Sequence, residues 1–141
     1  MKSYFLTFSV LLSCALLLSG CVSRAQADAT LAKGCEAGVA ALLPPERKIE
    51  RISDKAFSPS PEGVGMRRVM LKAIENDGFL EVESEFECVF EESFGLFNMN
   101  HTASIYQVRT GDRVIGKSGN EILGDAQDFI KLTDAIREAM Y

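Results

Sequence analysis

The chain has 141 residues and a formal net charge of −5, from 20 acidic and 15 basic side chains. That balance excludes a general nucleic-acid-binding surface, whose phosphates an acidic protein repels, and it supplies no polybasic attraction to anionic lipid. The length suffices for one domain around a single core and is too short for two.

The chain opens with Lys2 and a nearly unbroken apolar run from Tyr4 to Leu18, followed by small residues. This is the layout of a secretory signal peptide. At about 15 residues the run falls short of the roughly 20 needed to cross a bilayer, so cleavage is expected rather than a retained transmembrane helix. The tetrapeptide Leu18-Ser19-Gly20-Cys21 resembles the lipobox of bacterial lipoproteins. The resemblance implies that residues 1–20 are removed, that the Cys21 thiol carries diacylglycerol, and that the new amine is acylated, typically with palmitate. Each buried CH₂ of those chains contributes about 0.8 kcal/mol, so two or three chains anchor stably. The residue after the cysteine is Val22 and not the aspartate of an inner-membrane retention signal. The resemblance therefore implies the periplasmic face of the outer membrane in a cell with two membranes.

The first 20 residues hold a single charged side chain, Lys2, so what remains is one unit more acidic than the whole chain. Cys14 lies in the apolar run and Cys21 is assigned to lipid, which leaves Cys35 and Cys88. A pair of cysteines in an exported chain reads as a disulfide, with two separately buried thiols as the alternative.

Residues 21–29, rich in small and polar side chains, read as a lipidated flexible tether, and residues 30–141 as a single α+β domain. A helix capped by Asp28 or Thr30 is expected to run to Leu43, with Leu31, Cys35, Val39 and Leu42 on one stripe and Pro44-Pro45 ending it. Residues 47–57 read as a charged edge strand, and Ser58 to Gly63 as a loop. Val69, Leu71 and Ala73 then alternate with charged and longer residues. Beyond Asn76-Asp77-Gly78, the inner set Leu80, Val82, Phe86, Cys88 and Phe90 alternates with Glu81, Glu83, Glu85 and Glu87. A hairpin follows, and two registers satisfy it, one pairing Lys72 with Glu83 and Arg68 with Glu87, the other Lys72 with Glu81. Strands are also expected at Ala103 to Arg109 and Arg113 to Gly116. Asp125 caps a last helix that buries Phe129, Ile130, Leu132, Ile136 and Met140. The expected fold is an N-terminal helix, an antiparallel sheet of four or five strands, and a C-terminal helix. In its order, and in Cys35, Gly78-Phe79 and Phe86-Glu87-Cys88, the chain resembles small exported bacterial domains with one cysteine in the first helix and one late in a central strand. That resemblance implies a fold and no activity.

Gly111 to Ser118 matches the phosphate-loop string G-x-x-x-x-G-K-S, but the motif needs a buried strand before it and a helix after it. Here a hairpin turn and a strand are expected, so no nucleotide cofactor is assigned. The acidic set Glu81, Glu83, Glu85, Glu87, Glu91 and Glu92 reads as a solvated sheet face. Strand residues two apart lie in parallel instead of converging as calcium ligands do, and no metal is assigned. His101 is the one histidine. A small envelope hydrolase built on it is the alternative function, although no nucleophile elbow of the G-x-S-x-G type accompanies it. Phe94, Leu96, Phe97 and Met99, interrupted by Gly95 and Asn98, either close the end of the core or form a contact for another protein. They are the candidate partner-binding residues of a non-enzymatic, lipid-anchored envelope protein that acts as an accessory subunit, inhibitor or immunity factor.

Overall fold

The computed structural model describes residues 20–141, so the signal-peptide reading, up to residue 19, lies outside the described residues. The first described helix, α1 (Arg24–Leu42), starts earlier than the expected cap at Asp28 or Thr30. Ser23 caps it. The Ser23 hydroxyl accepts from the Gln26 N–H at 3.2 Å, while the Gln26 amide oxygen accepts from the Ser23 N–H at 2.8 Å. This reciprocal capping box satisfies two otherwise orphaned donors, and Ala27 is buried against the fold. The segment expected to be a flexible tether over 21–29 is therefore mostly helix. At the other end, Leu43 is the cap residue and the two prolines follow.

Leu31, Cys35 and Val39 are buried along α1 as the stripe predicts. Gly34 and Gly38 set how closely the last helix, α2 (Ala126–Met140), approaches. A Cβ at Gly38 would lie 2.6 Å from Leu132 Cδ1 and 2.8 Å from Ile136 Cδ1, so the α2 side chains occupy the space that any larger residue would need. Asp125 caps α2 by accepting from the N–H groups of Gln127 and Asp128, as expected. Leu132 and Ile136 are buried and Phe129 and Met140 partly so. Ile130 is exposed, contrary to expectation.

The sheet is a meander of six antiparallel strands in sequence order: β1 (Lys48–Pro59), β2 (Met66–Asn76), β3 (Glu81–Phe94), β4 (His101–Thr110), β5 (Arg113–Ser118) and β6 (Glu121–Leu123). Four or five strands were expected; the additional one is β6, whose three residues carry too little alternation to read. β1 is the charged edge strand, as expected. α1 lies across β1 to β4 and α2 over β4 and β5, on one face of the sheet. Val69, Leu71, Ala73, Phe86, Cys88 and Phe90 of that face make the core with Leu31, Val39, Val108 and Leu132. The Cys35–Cys88 disulfide ties α1 to β3, with Cα atoms 5.8 Å apart across 53 residues. By loop entropy such a bond stabilises by about 4 kcal/mol.

The β2–β3 hairpin keeps its predicted faces and changes its register. Lys72 lies opposite Glu85, Val69 opposite Cys88 and Ala73 opposite Ser84, a two-residue slip from the first expected pairing. The turn causes it. Asp77 accepts from the N–H groups of Phe79 and Leu80, and the Asn76 side chain accepts from Gly78 N–H, so four residues rather than two make the reversal. An even slip leaves every side chain on its face. Leu80 and Val82, expected on the buried face, lie at the turn end of the hairpin, beyond the cover of the core, and are exposed. The Arg68–Glu87 pair does not form; Arg68 donates to Ser58 Oγ and Glu87 lies 3.8 Å from Arg109.

On β4 only Gln107 to Thr110 pair with β5, which leaves the edge of the earlier residues without a strand neighbour. The Tyr141 hydroxyl blunts that edge, accepting from the Ala103 N–H at 3.0 Å and donating to the Ala103 carbonyl at 3.3 Å. The phosphate-loop string does not open a helix: Gly111 sits in the β4–β5 turn and Arg113 to Ser118 is strand.

Candidate functional site: the β3–β4 end of the sheet

Where β3 hands over to β4, two arrangements meet: a partly buried polar chain on the helix-covered face and an apolar loop at the tip. The polar chain follows from the parity of β3. Glu92 shares the inner face with Phe90 and Phe94, so it is not part of the solvated acidic face to which the sequence assigned it. Arg24 of α1 meets it with two hydrogen bonds, 2.7 and 2.9 Å. Arg24 also lies 2.8 Å from Asp28, one helical turn on, and Asp28 takes a two-point contact at 3.0 and 2.7 Å from Arg67 of β2. His101 of β4 closes the chain, its Nε2 2.8 Å from Glu92.

Two arginines thus balance two carboxylates across α1, β2 and β3. Burial alone would raise the Glu92 carboxyl, but the hydrogen bonds from Arg24 and His101 and the Arg24 charge outweigh it, leaving the group below the usual glutamate value. The hydrogen bond to Glu92 raises Arg24 in turn, against the opposing effect of burial. The Arg24 guanidinium stands 5.0 Å from the centre of the Phe94 ring, and the Phe94 and His101 rings are 4.8 Å apart.

This arrangement decides what His101 can do. Its side chain is only 5 % exposed, between Phe94 and Glu92. The nearby hydroxyls of Ser93 and Thr102 pair with each other at 2.9 Å on exposed positions of the opposite strand parity. A base for acyl transfer must face a nucleophile within hydrogen-bond reach; among the described residues, the side chain bonded to the ring is the Glu92 carboxylate.

Of the four candidate partner-binding residues, the fold separates one from three. Phe94 is half-buried in the polar chain. Leu96, Phe97 and Met99 are 77, 78 and 65 % exposed, so they do not close the core. The loop that carries them is braced. Gly95 N–H donates to the Asn100 carbonyl, Asn98 N–H to Gly95 and Met99 N–H to Leu96. The Asn100 side chain fills the space a Cβ at Gly95 would take. Phe97 and Asn98 both adopt positive φ, 55° and 56°; asparagine tolerates this conformation, whereas for Phe97 it costs on the order of 1 kcal/mol or more.

The start of the described chain runs against this loop. Val22 N–H donates to the Asn98 carbonyl at 2.7 Å, and the exposed Cys21 thiol lies 3.4 Å from the Phe97 carbonyl. In the sequence Cys21 and the apolar loop are separate features; in the fold they are neighbours.

A second concave region lies at the far end of the sheet. A cleft of about 520 Å³ is bordered by Leu43, Arg47, Glu75, Phe86, Thr110 and Arg113. Glu75, on the inner face of β2, is 4 % exposed, and its Oε2 lies 3.7 Å from Arg47 Nη1 without a hydrogen bond. Its parity with Leu71 and Ala73 was the signal that could have found its burial. Among the described residues, no cluster of three or more His, Cys, Asp or Glu side chains could hold a metal ion. No family model matches the chain, and neither a curated protein nor a solved structure matches it.

Proposed function

We propose that this protein is a bacterial envelope lipoprotein, anchored through acyl chains on Cys21, that works without catalysis by binding another envelope protein as an accessory subunit, inhibitor or immunity factor. The observation that carries the reading is the placement of Cys21: an exposed thiol beside a braced, exposed apolar loop, in a fold whose other described cysteines form a disulfide. A disulfide suits an oxidising compartment outside the cytoplasm. Among the described residues no helix is long and apolar enough to cross a membrane. The outer membrane is the expected address, since Val22 follows the cysteine. The burial of His101 against Glu92 and Phe94 weighs against the hydrolase alternative.

The test is chemical. Cells grown with a palmitate analogue should label the wild-type protein and not Cys21→Ser, and the mature N-terminus should be a thioether-modified Cys21 by mass spectrometry. An intact signal peptide, or an unmodified Cys21 at the mature N-terminus, would sink the anchored reading. Crosslinked capture from native membranes tests the binding role separately: a discrete envelope protein recovered with wild type supports it, and its recovery in equal amount with an unrelated lipoprotein refutes it.

A further inference from the structure

One residue in four of this chain is charged, yet from Ser93 to Val108 there is no Asp, Glu, Lys or Arg. The loop Leu96–Met99 lies in that run, with its three large apolar side chains exposed. A flexible loop would fold such groups back onto the protein; this one is held by its own backbone hydrogen bonds and by Asn100 packed over Gly95. The apolar groups are thus presented outward at the expense of a left-handed backbone at Phe97.

What covers them is indicated by the position of Cys21. The residue read as the anchor, Cys21, has its thiol 3.4 Å from the Phe97 carbonyl. There is no slack between that point and the fold. Val22 is bonded to the loop, and Ser23 already caps α1, whose first turn is fastened to β3 through Arg24 and Glu92. An anchor leaving Cys21 therefore brings Leu96, Phe97 and Met99 to the lipid surface with it. A loop without charge meets no ionic desolvation cost on entering the interface, and apolar area buried there adds to the attachment.

We propose that Leu96, Phe97 and Met99 form a bilayer-contacting wedge that sinks into the interfacial layer beside the acyl anchor, and that the occupant of this surface is lipid rather than a protein partner. The inference rests on the reading of Cys21 as the anchored residue. It also orients the molecule. Phe94 stands beside the wedge and the Asp77–Leu80 turn lies at the other end of β3, roughly 45 Å away along its fourteen residues, so the protein partner is left the distal end and the sheet edges.

The chain has no tryptophan, so one introduced at a chosen site reports alone. Phe97→Trp places an indole on the wedge; Phe79→Trp, in the distal turn at a position 94 % exposed, is the control. Each full-length variant is expressed with its signal peptide, purified, and reconstituted into phosphatidylethanolamine–phosphatidylglycerol vesicles with and without lipid brominated near the top of the acyl chain. The Phe97→Trp protein should shift its emission to the blue and lose most of its intensity to brominated lipid, while the Phe79→Trp protein keeps a solvent-like spectrum and is not quenched. An acylated, vesicle-bound Phe97→Trp protein whose emission remains solvent-like overturns the wedge and leaves the anchor standing. A blue shift that needs added envelope proteins and escapes lipid quenching assigns the surface to a protein and equally overturns it. Mass spectrometry of the same sample separates the two readings. An unmodified Cys21 with the wedge indole still quenched removes the anchor and keeps the wedge, and an unmodified protein that does not bind vesicles removes both.

Discussion

Replacing Glu92 with glutamine tests whether the partly buried polar chain holds α1 on the sheet. The substitution keeps the shape and deletes the charge, leaving Arg24 with Asp28 at 2.8 Å as its remaining anion. Breaking a fully buried pair costs roughly 3–5 kcal/mol because a charge is stranded. Here the Arg24 side chain is 39 % exposed, so water screens part of that loss and the expected cost is about 2 kcal/mol. For a domain of this size that is a fall of about 8 °C in Tm. The acid dependence has a defined sign. The folded-state pKa of Glu92 is depressed, so its contribution is fully present above the ordinary glutamate value and is lost as pH falls through the lowered folded value. Urea unfolding of the disulfide-intact protein should therefore show wild type ahead of Glu92→Gln at neutral pH and the two converging in acid. The groups that set this field are Arg24 and Asp28 on α1, Arg67 on β2 and His101 on β4. A neutral-pH difference under about 0.5 kcal/mol, the range of an ordinary surface change, would refute the reasoning. A difference that persists undiminished far below the glutamate range would remove its electrostatic part.

Replacing both Cys35 and Cys88 with alanine should cost about 4 kcal/mol in the same unfolding assay, and alkylation of the unreduced, denatured wild-type protein should label neither residue. Gly38→Val should destabilise by about 2 kcal/mol, because its side chain would meet Leu132 and Ile136 of α2, and a neutral result would mean the helices stand further apart than the structure has them. Phe97→Ser should leave stability within about 0.5 kcal/mol, since the side chain is 78 % exposed; a large fall in Tm would return the loop to the core and remove the surface on which the wedge depends.

Much of this architecture is a local property and was legible. Alternation with period two assigns faces to β2 and β3 without knowledge of their partners, and helical spacing puts Cys35 on the buried side of α1; two independent periodicities therefore point both cysteines inward. The same parity held the burial of Glu75 and the inward placing of Glu92, and the Ser23–Gln26 spacing held the capping box, although their polar character masked all three. Register was a different matter. A binary pattern is unchanged by an even slip, so only the side-chain hydrogen bonds of the Asp77 turn choose among pairings two residues apart. Furthest from the sequence was the meeting of Cys21 with Phe97, 76 positions later. No periodicity reaches that far, because the contact depends on how α1 lies across the sheet. The Cys35–Cys88 bond, the approach of α2 over Gly34 and Gly38, and the Arg24–Glu92 and Asp28–Arg67 pairs settle that together, and each exists only once the chain has folded.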